Sequence, residues 1–486
     1  MNFLSINFWI LFIFVFTVCA FIPNKYKYLP LLLANCIFYG TAQPMMLWVL
    51  LGVTVITYIG GRVLEKRRRP VVFAVFFWLC LLVLIYFKYT NFMIENLNWI
   101  LDYFHLNHGK LSARNIVVPI GLSFFIFQST SYLSDVYRKN FPAEKNFFRY
   151  AAFVSFFPTV LSGPIQKSRI LLPQLKEETS FSTEQGIRSF ILLLWGIFEK
   201  TIVSNGLAVI VNGVFDQYTS YDGIYYLIAA VCFSFYIYAD FSAYSDMACG
   251  IAGMLGFHIE VNFKNPYLSV TLTEFWNHWH MTLNSWFAEN IYIPLGGNRK
   301  GKLRKYINIM VVFLFSGIWH GAANNFLVWG GLNGILRIIG EETRSWREKL
   351  YAYFRVDSKT ESINILKRIS VFFIITVTWV FFRIPDIEVA VHIIKNMFLF
   401  QPMTLFDPNL LTIAGSAVAT IKIAVALLVF IYIQYWRKDA EKNYQMFRKQ
   451  PVGIQYWLLS LLLCMCIFTM TSTTSSVNTE FIYFQF

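Results

Sequence analysis

The chemically interesting residues of this chain are polar side chains set among long apolar runs. The densest collection lies between Asp240 and His320, and it holds four of the seven histidines: His258, His278, His280 and His320. Ionisable groups inside apolar segments are energetically costly, so each is a candidate for function. The same stretch contains the segments 240–246, 274–280, 292–299 and 316–321, all rich in polar or small residues.

His320 is the sharpest single candidate. It ends an apolar run and precedes Gly321 and two alanines, whose small size lets another chain or ligand approach closely. An imidazole titrates near neutral pH, so a buried neutral histidine can accept a proton from a hydroxyl group. The alternative is a core histidine that binds a backbone carbonyl.

The neighbouring motif places Glu274, His278 and His280 within seven residues. On a helix, His278 and His280 would point about 200° apart, so only one would face a given site. Glu274 and His278 could share a helix face, either as metal ligands or as an ion pair. A third ligand is missing, so we predict no metal site and expect an orienting or structural hydrogen-bond role. For Asp240 and Asp246 we expect structural ion pairs with nearby basic residues.

Composition defines the class of protein. Of the 486 residues, 57% are hydrophobic, 19% aromatic and only 14% charged, and the mean hydropathy is +0.52. The net charge of +14 lies in short bursts between apolar runs, which is typical of a multi-span membrane protein and not of a nucleic-acid-binding surface. The seven cysteines also lie in apolar runs without CxxC spacing, so we expect no disulfide framework or zinc module.

Membrane-spanning segments follow from uncharged stretches of about 20 residues. The segment Phe3–Ile22 is predicted to be a retained first span rather than a cleaved signal peptide. We expect ten to twelve passes, with partial or broken segments at Tyr28–Tyr39, Tyr150–Ile165 and Ser189–Phe215, of which the last is interrupted by Glu199-Lys200. In the second of these, Pro158 and Gly163-Pro164 predict a re-entrant turn.

Basic clusters predict the orientation. Arg62–Arg69, Arg299–Lys305 and Arg437–Lys449 are expected to be cytoplasmic, which places Asn91–Asn115 and the tail Thr471–Phe486 outside. The glycine pair before Asn298 and Arg299 is weak evidence for a phosphate loop, although its basic surroundings suit an anionic ligand or a lipid headgroup.

Five segments together closely resemble the bacterial membrane-bound O-acyltransferase family, in its alginate O-acetylation branch. They are Thr273–Phe287, Tyr292–Arg299, Phe157–Ile165, Asp240–Ala248 and Ser316–Ala322. The resemblance implies one all-α membrane domain over residues 1–486, with a ring of helices around a central tunnel. We divide it into N-terminal helices (1–115), a core of motifs (116–340), C-terminal helices (341–470) and an extracytoplasmic tail (471–486).

The resemblance also implies residue roles. His320 matches the family's invariant-type histidine near the middle of the tunnel, so we predict that it is the catalytic base. His280 matches the second motif histidine, at the cytoplasmic mouth or the tunnel wall, whereas many relatives carry Arg where this chain has His278. We assign donor binding to Arg299, Trp319 and Trp276.

The chain ends in the aromatic hexapeptide Phe481–Phe486. It resembles the carboxy-terminal motif of the small partner protein in teichoic-acid D-alanylation, where a tyrosine is thought to carry the acyl group. We therefore predict that Tyr483 is deprotonated by His320 and accepts the acyl group. The alternative is an interfacial belt of aromatic residues that anchors the last helix.

We expect a protein of the bacterial inner membrane that transfers an acyl group, preferably acetyl, from a cytoplasmic thioester. The final acceptor is an extracellular polysaccharide or cell-wall glycan. The donor is acetyl-CoA or an acyl carrier, with no tightly bound cofactor, and a secreted or periplasmic esterase-fold partner is expected to complete the transfer. The alternatives are D-alanyl transfer to teichoic acid and, from another class, a proton-coupled transporter or lipid flippase, against which no inverted repeat is evident.

Overall fold

The computed structural model describes residues 1–105, 109–176, 182–399, 402–472 and 481–482. Within these ranges the regular secondary structure is entirely helical, which confirms the predicted all-α fold. The helices of the first half are α1 (Ile6–Phe21), α2 (Tyr28–Ala42), α3 (Leu47–Lys66), α4 (Pro70–Leu84), α5 (Thr90–Tyr103), α6 (Leu122–Arg138), α7 (Phe147–Val154), α8 (Ser168–Lys176), α9 (Thr183–Phe198), α10 (Asn205–Phe215) and α11 (Gly223–Met254).

The second half contains ten further helices in the described ranges. They are α12 (Leu272–His278), α13 (Met281–Phe287), α14 (Lys302–His320), α15 (Asn324–Glu342), α16 (Arg344–Tyr353), α17 (Glu361–Arg383), α18 (Ile387–Asn396), α19 (Ala417–Trp436), α20 (Ala440–Arg448) and α21 (Val452–Ser472). Short π-helical turns occur at Ile85–Tyr89, Glu199–Ser204 and Ala288–Tyr292.

Six helical segments of the described chain are long and apolar enough to cross a membrane: Pro44–Lys66, Pro70–Tyr103, Thr183–Phe215, Gly223–Met254, Glu361–Arg383 and Ala417–Arg448. Three shorter apolar helices, Ile6–Phe21, Tyr28–Ala42 and Val452–Ile467, account for part of the difference from ten to twelve predicted passes. Helix α6 is buried along almost its whole length and carries many polar side chains.

The chain forms two compact units. Unit 1 comprises residues 1–190 and 248–260, and unit 2 comprises residues 191–247 and 261–486. Of the candidate residues with described structure, His258 belongs to unit 1, whereas His278, His280 and His320 belong to unit 2.

In unit 1, the predicted breaker at Pro158 ends the helical structure. Helix α7 stops at Val154, and the non-helical residues 155–167 are all buried. Buried irregular backbone needs hydrogen-bond partners, and side chains from two other helices supply them. The Asn35 side-chain oxygen accepts from the Phe157 amide at 2.8 Å, and the Gln128 side-chain oxygen accepts from the Gln166 amide at 3.3 Å.

In unit 2, helices α14 and α15 form a tightly packed hairpin, and the residues that connect them directly follow His320. A Cβ on Gly317 would lie 2.2 Å from the Phe326 carbonyl oxygen, and one on Gly330 would lie 2.4 Å from the Phe313 carbonyl oxygen. Small residues at such crossings let two helix backbones approach closely. The hairpin therefore holds the end of α14 against the start of α15.

Candidate active site

His320 is the last residue of α14 and is only 5% exposed. Its imidazole contacts the rings of the described residues Trp319, at 4.9 Å between ring centroids, Trp329, at 5.2 Å, and Phe382, at 5.1 Å. These rings come from α14, α15 and α17, so three helices must pack together to build the environment of this histidine.

Gly321, the residue that follows His320 at the end of α14, borders the same environment. A Cβ at this position would lie 2.0 Å from the ring of Phe326, which itself packs edge-on against Phe382 at 5.0 Å. The sequence suggested that the small residue admits a ligand or another chain. In the structure a neighbouring ring, Phe326, uses that space.

His280 lies in the junction between α12 and α13, at a positive φ of 44°. Its Nδ1 is 3.2 Å from the side-chain oxygen of Asn262, which also accepts a hydrogen bond from the Thr282 hydroxyl at 2.6 Å. An amide oxygen only accepts, so Nδ1 carries the proton and Nε2 keeps its lone pair. Burial lowers the pKa of His280 to about 3, so its imidazole is neutral at physiological pH.

Trp319 joins the two histidines. Its ring centroid lies 5.7 Å from that of His280 and 4.9 Å from that of His320. The structure therefore brings three predicted site residues into one continuous buried group, which we call the His–Trp–His group (His280, Trp319 and His320).

His278 does not belong to this group. Helix α12 ends at His278, so the two histidines of the motif do not share one helix, and the half-buried His278 faces the Ser269 hydroxyl 3.4 Å from its Nδ1. Glu274 accepts a hydrogen bond from the Val270 amide, and its own amide donates to the Thr271 hydroxyl. Thr271 is thus the N-cap of α12, and Glu274 completes the cap by reaching back from the first turn, which is a structural role.

The two other donor-binding candidates, Trp276 and Arg299, have different surroundings. Trp276 contacts the ring of Trp329 at 5.6 Å, so it reaches the rings around His320 through one neighbour. Arg299 lies exposed in the turn before α14, where Gly296 and Gly297 adopt positive φ values. The Asn308 side chain holds this turn by donating to the Gly297 carbonyl at 2.9 Å.

Asp240 and Asp246 both form the ion pairs expected of them. The Asp240 carboxylate lies 2.6 Å from Lys200 Nζ, and Asp246 lies 2.6 Å from Arg437. Glu199, on the π-helical turn with Lys200, accepts hydrogen bonds from Ser242 at 2.9 Å and Gln434 at 3.1 Å. The pair Glu199-Lys200 interrupting an apolar run was the sequence signal for this network, and Asn262 had no such signal.

Tyr483 lies outside the described residues. The two residues before it, Phe481 and Ile482, are buried, at 1% and 2% exposure. The Ile482 amide donates to the second carboxylate oxygen of Asp240 at 2.7 Å, and the Phe481 ring packs edge-on against Tyr244 at 5.1 Å. A lipid-facing aromatic belt would leave such side chains exposed.

The described chain combines six helical segments that are long and apolar enough to cross a membrane with two buried histidines that contact one tryptophan, which defines the class as an integral membrane protein. Comparison with known proteins gives the family: residues 138–383 match the model of the membrane-bound O-acyltransferase family. The chain belongs to this family, and it is an O-acyltransferase. Both His280 and His320 lie inside the matched region.

Several curated relatives are similar to half of the chain or more. A probable alginate O-acetylase AlgI of Pseudomonas putida is 32% identical, with 95% of each chain covered. The peptidoglycan O-acetyltransferase of Helicobacter pylori is 31% identical over 64% of this chain and 62% of its own length. The teichoic acid D-alanyltransferase of Bacillus subtilis is 24% identical over 49% of this chain and 62% of its own.

Proposed function

We propose that this O-acyltransferase moves an acetyl group from a cytoplasmic thioester, with acetyl-CoA as donor, toward an extracellular polysaccharide or cell-wall glycan. The observation that carries the proposal is the His–Trp–His group, two buried histidines on either side of one indole ring within the family-matched region. The relatives named as O-acetylases of alginate and as a peptidoglycan O-acetyltransferase support acetyl over D-alanyl transfer, because they match more of the chain at higher identity.

His320 acts as the general base in this proposal. The phenol proton of Tyr483 passes to the His320 imidazole while the phenolate oxygen bonds to the acetyl carbonyl carbon. The carbon–sulfur bond then breaks, and the departing thiolate takes the proton from the imidazolium and leaves as a thiol. The product is an acetylated tyrosine. The hydrophobic rings around His320 exclude water, which would otherwise hydrolyse the thioester.

The second half of the reaction occurs on the outer side. A serine hydroxyl of a secreted or periplasmic esterase-fold partner attacks the aryl ester, and the serine oxygen bonds to the acetyl carbon. The bond between the acetyl carbon and the tyrosine oxygen breaks, and the serine proton passes to that oxygen. A phenolate is a better leaving group than an alkoxide, so the aryl ester is an activated donor. The partner then acetylates the glycan.

The donor side is proposed from charge and orientation. The basic cluster Arg299–Lys305 faces the cytoplasm of a bacterial inner membrane, and the tail emerges on the opposite side. Arg299 is exposed, which suits an encounter with the anionic donor. Trp319 contacts both histidines and Trp276 contacts Trp329, so these indoles would bind the donor next to the reacting groups.

The direct test is transfer of label from radiolabelled acetyl-CoA in membranes. Removing a general base costs about 10²- to 10⁴-fold in rate, so His320→Ala is expected to lose nearly all transfer. The matched control is His258→Ala, which removes an exposed histidine of unit 1 and is expected to retain the wild-type rate. Transfer that persists in His320→Ala would remove His320 from the mechanism.

The relay through Tyr483 has its own test in cells. Tyr483→Phe removes only the hydroxyl oxygen, so it is expected to abolish glycan acetylation while leaving expression intact. Tyr456→Phe, at a tyrosine 66% exposed on α21, serves as the control. Glycan acetylation unchanged in Tyr483→Phe would exclude the tyrosine as the carrier.

A further inference from the structure

The buried ion pair of Asp240 and Lys200 is placed at an unusual point of the chain. Lys200 lies on the π-helical turn Glu199–Ser204, where an extra residue in the turn changes the direction of the side chains. Its Nζ and the Ser204 hydroxyl both donate to the same carboxylate oxygen, Asp240 Oδ1, at 2.6 and 2.7 Å. The lysine and the aspartate are each about 1% exposed.

The other oxygen of this carboxylate binds the end of the chain. Asp240 Oδ2 accepts the backbone amide of Ile482 at 2.7 Å, across 242 residues of sequence. The Phe481 ring lies 4.6 Å from Lys200 Nζ, at cation–π distance, and packs against Tyr244, one helical turn beyond Asp240 on α11. Both members of the ion pair therefore contact the terminal segment.

We propose that Asp240 and Lys200 form a docking site for the C-terminal segment of the chain, with Tyr244 as its apolar wall. A buried ion pair is stable only when hydrogen bonds occupy its remaining lone pairs, and the Ile482 amide supplies one such bond. A backbone amide is a donor that any residue except proline presents, so this contact fixes the position of the segment rather than its side chains.

The docking site adjoins the His–Trp–His group. Asp240 is followed on α11 by Phe241, whose ring packs edge-on against His280 at 4.7 Å between centroids. Ile482 belongs to the same buried apolar cluster as Trp329 and Phe382, the two rings that contact His320. Docking thus holds the residue before Tyr483 within the core that surrounds the proposed base.

Asp240 and Lys200 are accordingly positioning residues, which act by holding the terminal segment and not by touching the acyl group. Their importance for catalysis rests on the proposed relay through Tyr483. The docking itself is a separate property and is measured without any acyl transfer.

The experiment measures the reactivity of a single cysteine at Ile482 in the full-length protein, purified in detergent, with the seven native cysteines replaced. Ile482→Cys keeps the backbone amide. A water-soluble maleimide is expected to label this cysteine slowly, and at least ten-fold faster when Asp240→Leu and Lys200→Met replace the pair by apolar residues of similar size. Apolar replacement of a whole buried pair is usually tolerated, and a monodisperse elution profile checks the fold.

The matched control replaces the other ion pair of α11, with Asp246→Leu and Arg437→Met. This pair makes two hydrogen bonds of 2.6 and 3.2 Å but none to Ile482, so labelling is expected to stay slow. Equal labelling rates with and without the Asp240–Lys200 pair would overturn the docking site.

A second pair of variants leaves the ion pair intact. With the reporter moved to Phe481→Cys, Ile482→Pro removes the donated hydrogen and is expected to accelerate labelling, whereas Ile482→Val keeps the amide and is not. Equal rates in these two variants would also overturn the proposal.

Fast labelling of the ion-pair variant combined with normal glycan acetylation would confirm docking and contradict the relay. Slow labelling of the ion-pair variant, combined with loss of glycan acetylation in Tyr483→Phe, would contradict docking and support the relay.

Discussion

His280 donates a hydrogen bond from Nδ1 to the side-chain oxygen of Asn262, eighteen residues earlier in the chain. The same oxygen accepts the Thr282 hydroxyl, and the Asn262 carbonyl accepts the Met281 amide at 2.8 Å. Asn262 therefore fixes both the tautomer of His280 and the backbone on which it stands. In this tautomer, Nε2 of His280 carries a lone pair that can accept a proton or a hydrogen bond.

Replacing Asn262 is expected to impair acyl transfer without touching either histidine. Asn262→Leu lets the His280 proton move to Nε2, and a histidine in the wrong tautomer loses function, here by about 10- to 100-fold in rate. Thr282→Val is the control, because it removes one donor but keeps the His280 bond, and it should stay within about three-fold of wild type. Transfer of label from acetyl-CoA measures both, and a wild-type rate in a well-folded Asn262→Leu protein would contradict this role.

His280 should also make the protein sensitive to acid. Burial lowers its folded-state pKa to about 3, below the ordinary value of 6.5, so between these pH values the unfolded chain binds a proton that the folded protein does not. The stabilisation is present above pH 6.5 and is lost as the pH falls, by at most about 1.4 kcal/mol per pH unit for one proton. Thermal unfolding in detergent from pH 7.5 to 5 should therefore show a smaller loss of Tm for His280→Gln than for wild type.

The close contact of α14 with α15 predicts a size limit at Gly317. Gly317→Ala would place a Cβ 2.2 Å from the Phe326 carbonyl oxygen, so the helices must separate, at a cost of about 1–3 kcal/mol of stability. At Gly331, on the same hairpin, the nearest atom to a new Cβ is at 3.8 Å, so Gly331→Ala should be neutral or stabilising. Equal Tm values for the two variants would show that the hairpin is looser than described.

Arg299 offers a test of the donor side. It is exposed, whereas both histidines are buried, so Arg299→Gln should weaken ground-state binding of an anionic thioester and leave the chemical step unchanged. We expect KM for acetyl-CoA to rise about ten-fold with little change in kcat, and the difference to shrink at high salt. Arg344→Gln, at a side chain 77% exposed on α16, is the control. A fall in kcat with unchanged KM would instead assign Arg299 to the chemical step.

Much of the fold was predictable because it depends on local pattern. Apolar run length predicts membrane helices, and the breaks at Pro158 and at Glu199-Lys200 coincide with the end of regular helix after α7 and with the π-helical turn. Three residues that the sequence predicted for the site, His280, Trp319 and His320, contact one another in the structure, whereas their chemical role stays a prediction. Residues such as Asn262 were not predicted, because an isolated asparagine carries no periodic or charge signal.

By itself, the sequence determined the class of protein and the family, and it provided His280 and His320 as candidate site residues. Composition, hydropathy and the order of the motifs are all properties of the linear sequence. Only the tertiary structure decided which side chains meet. The Trp319 ring between His280 and His320, and the amide of Ile482 on Asp240, arise from helix packing across 39 to 242 residues. Such contacts depend on how helices cross and turn in three dimensions, which no local spacing encodes.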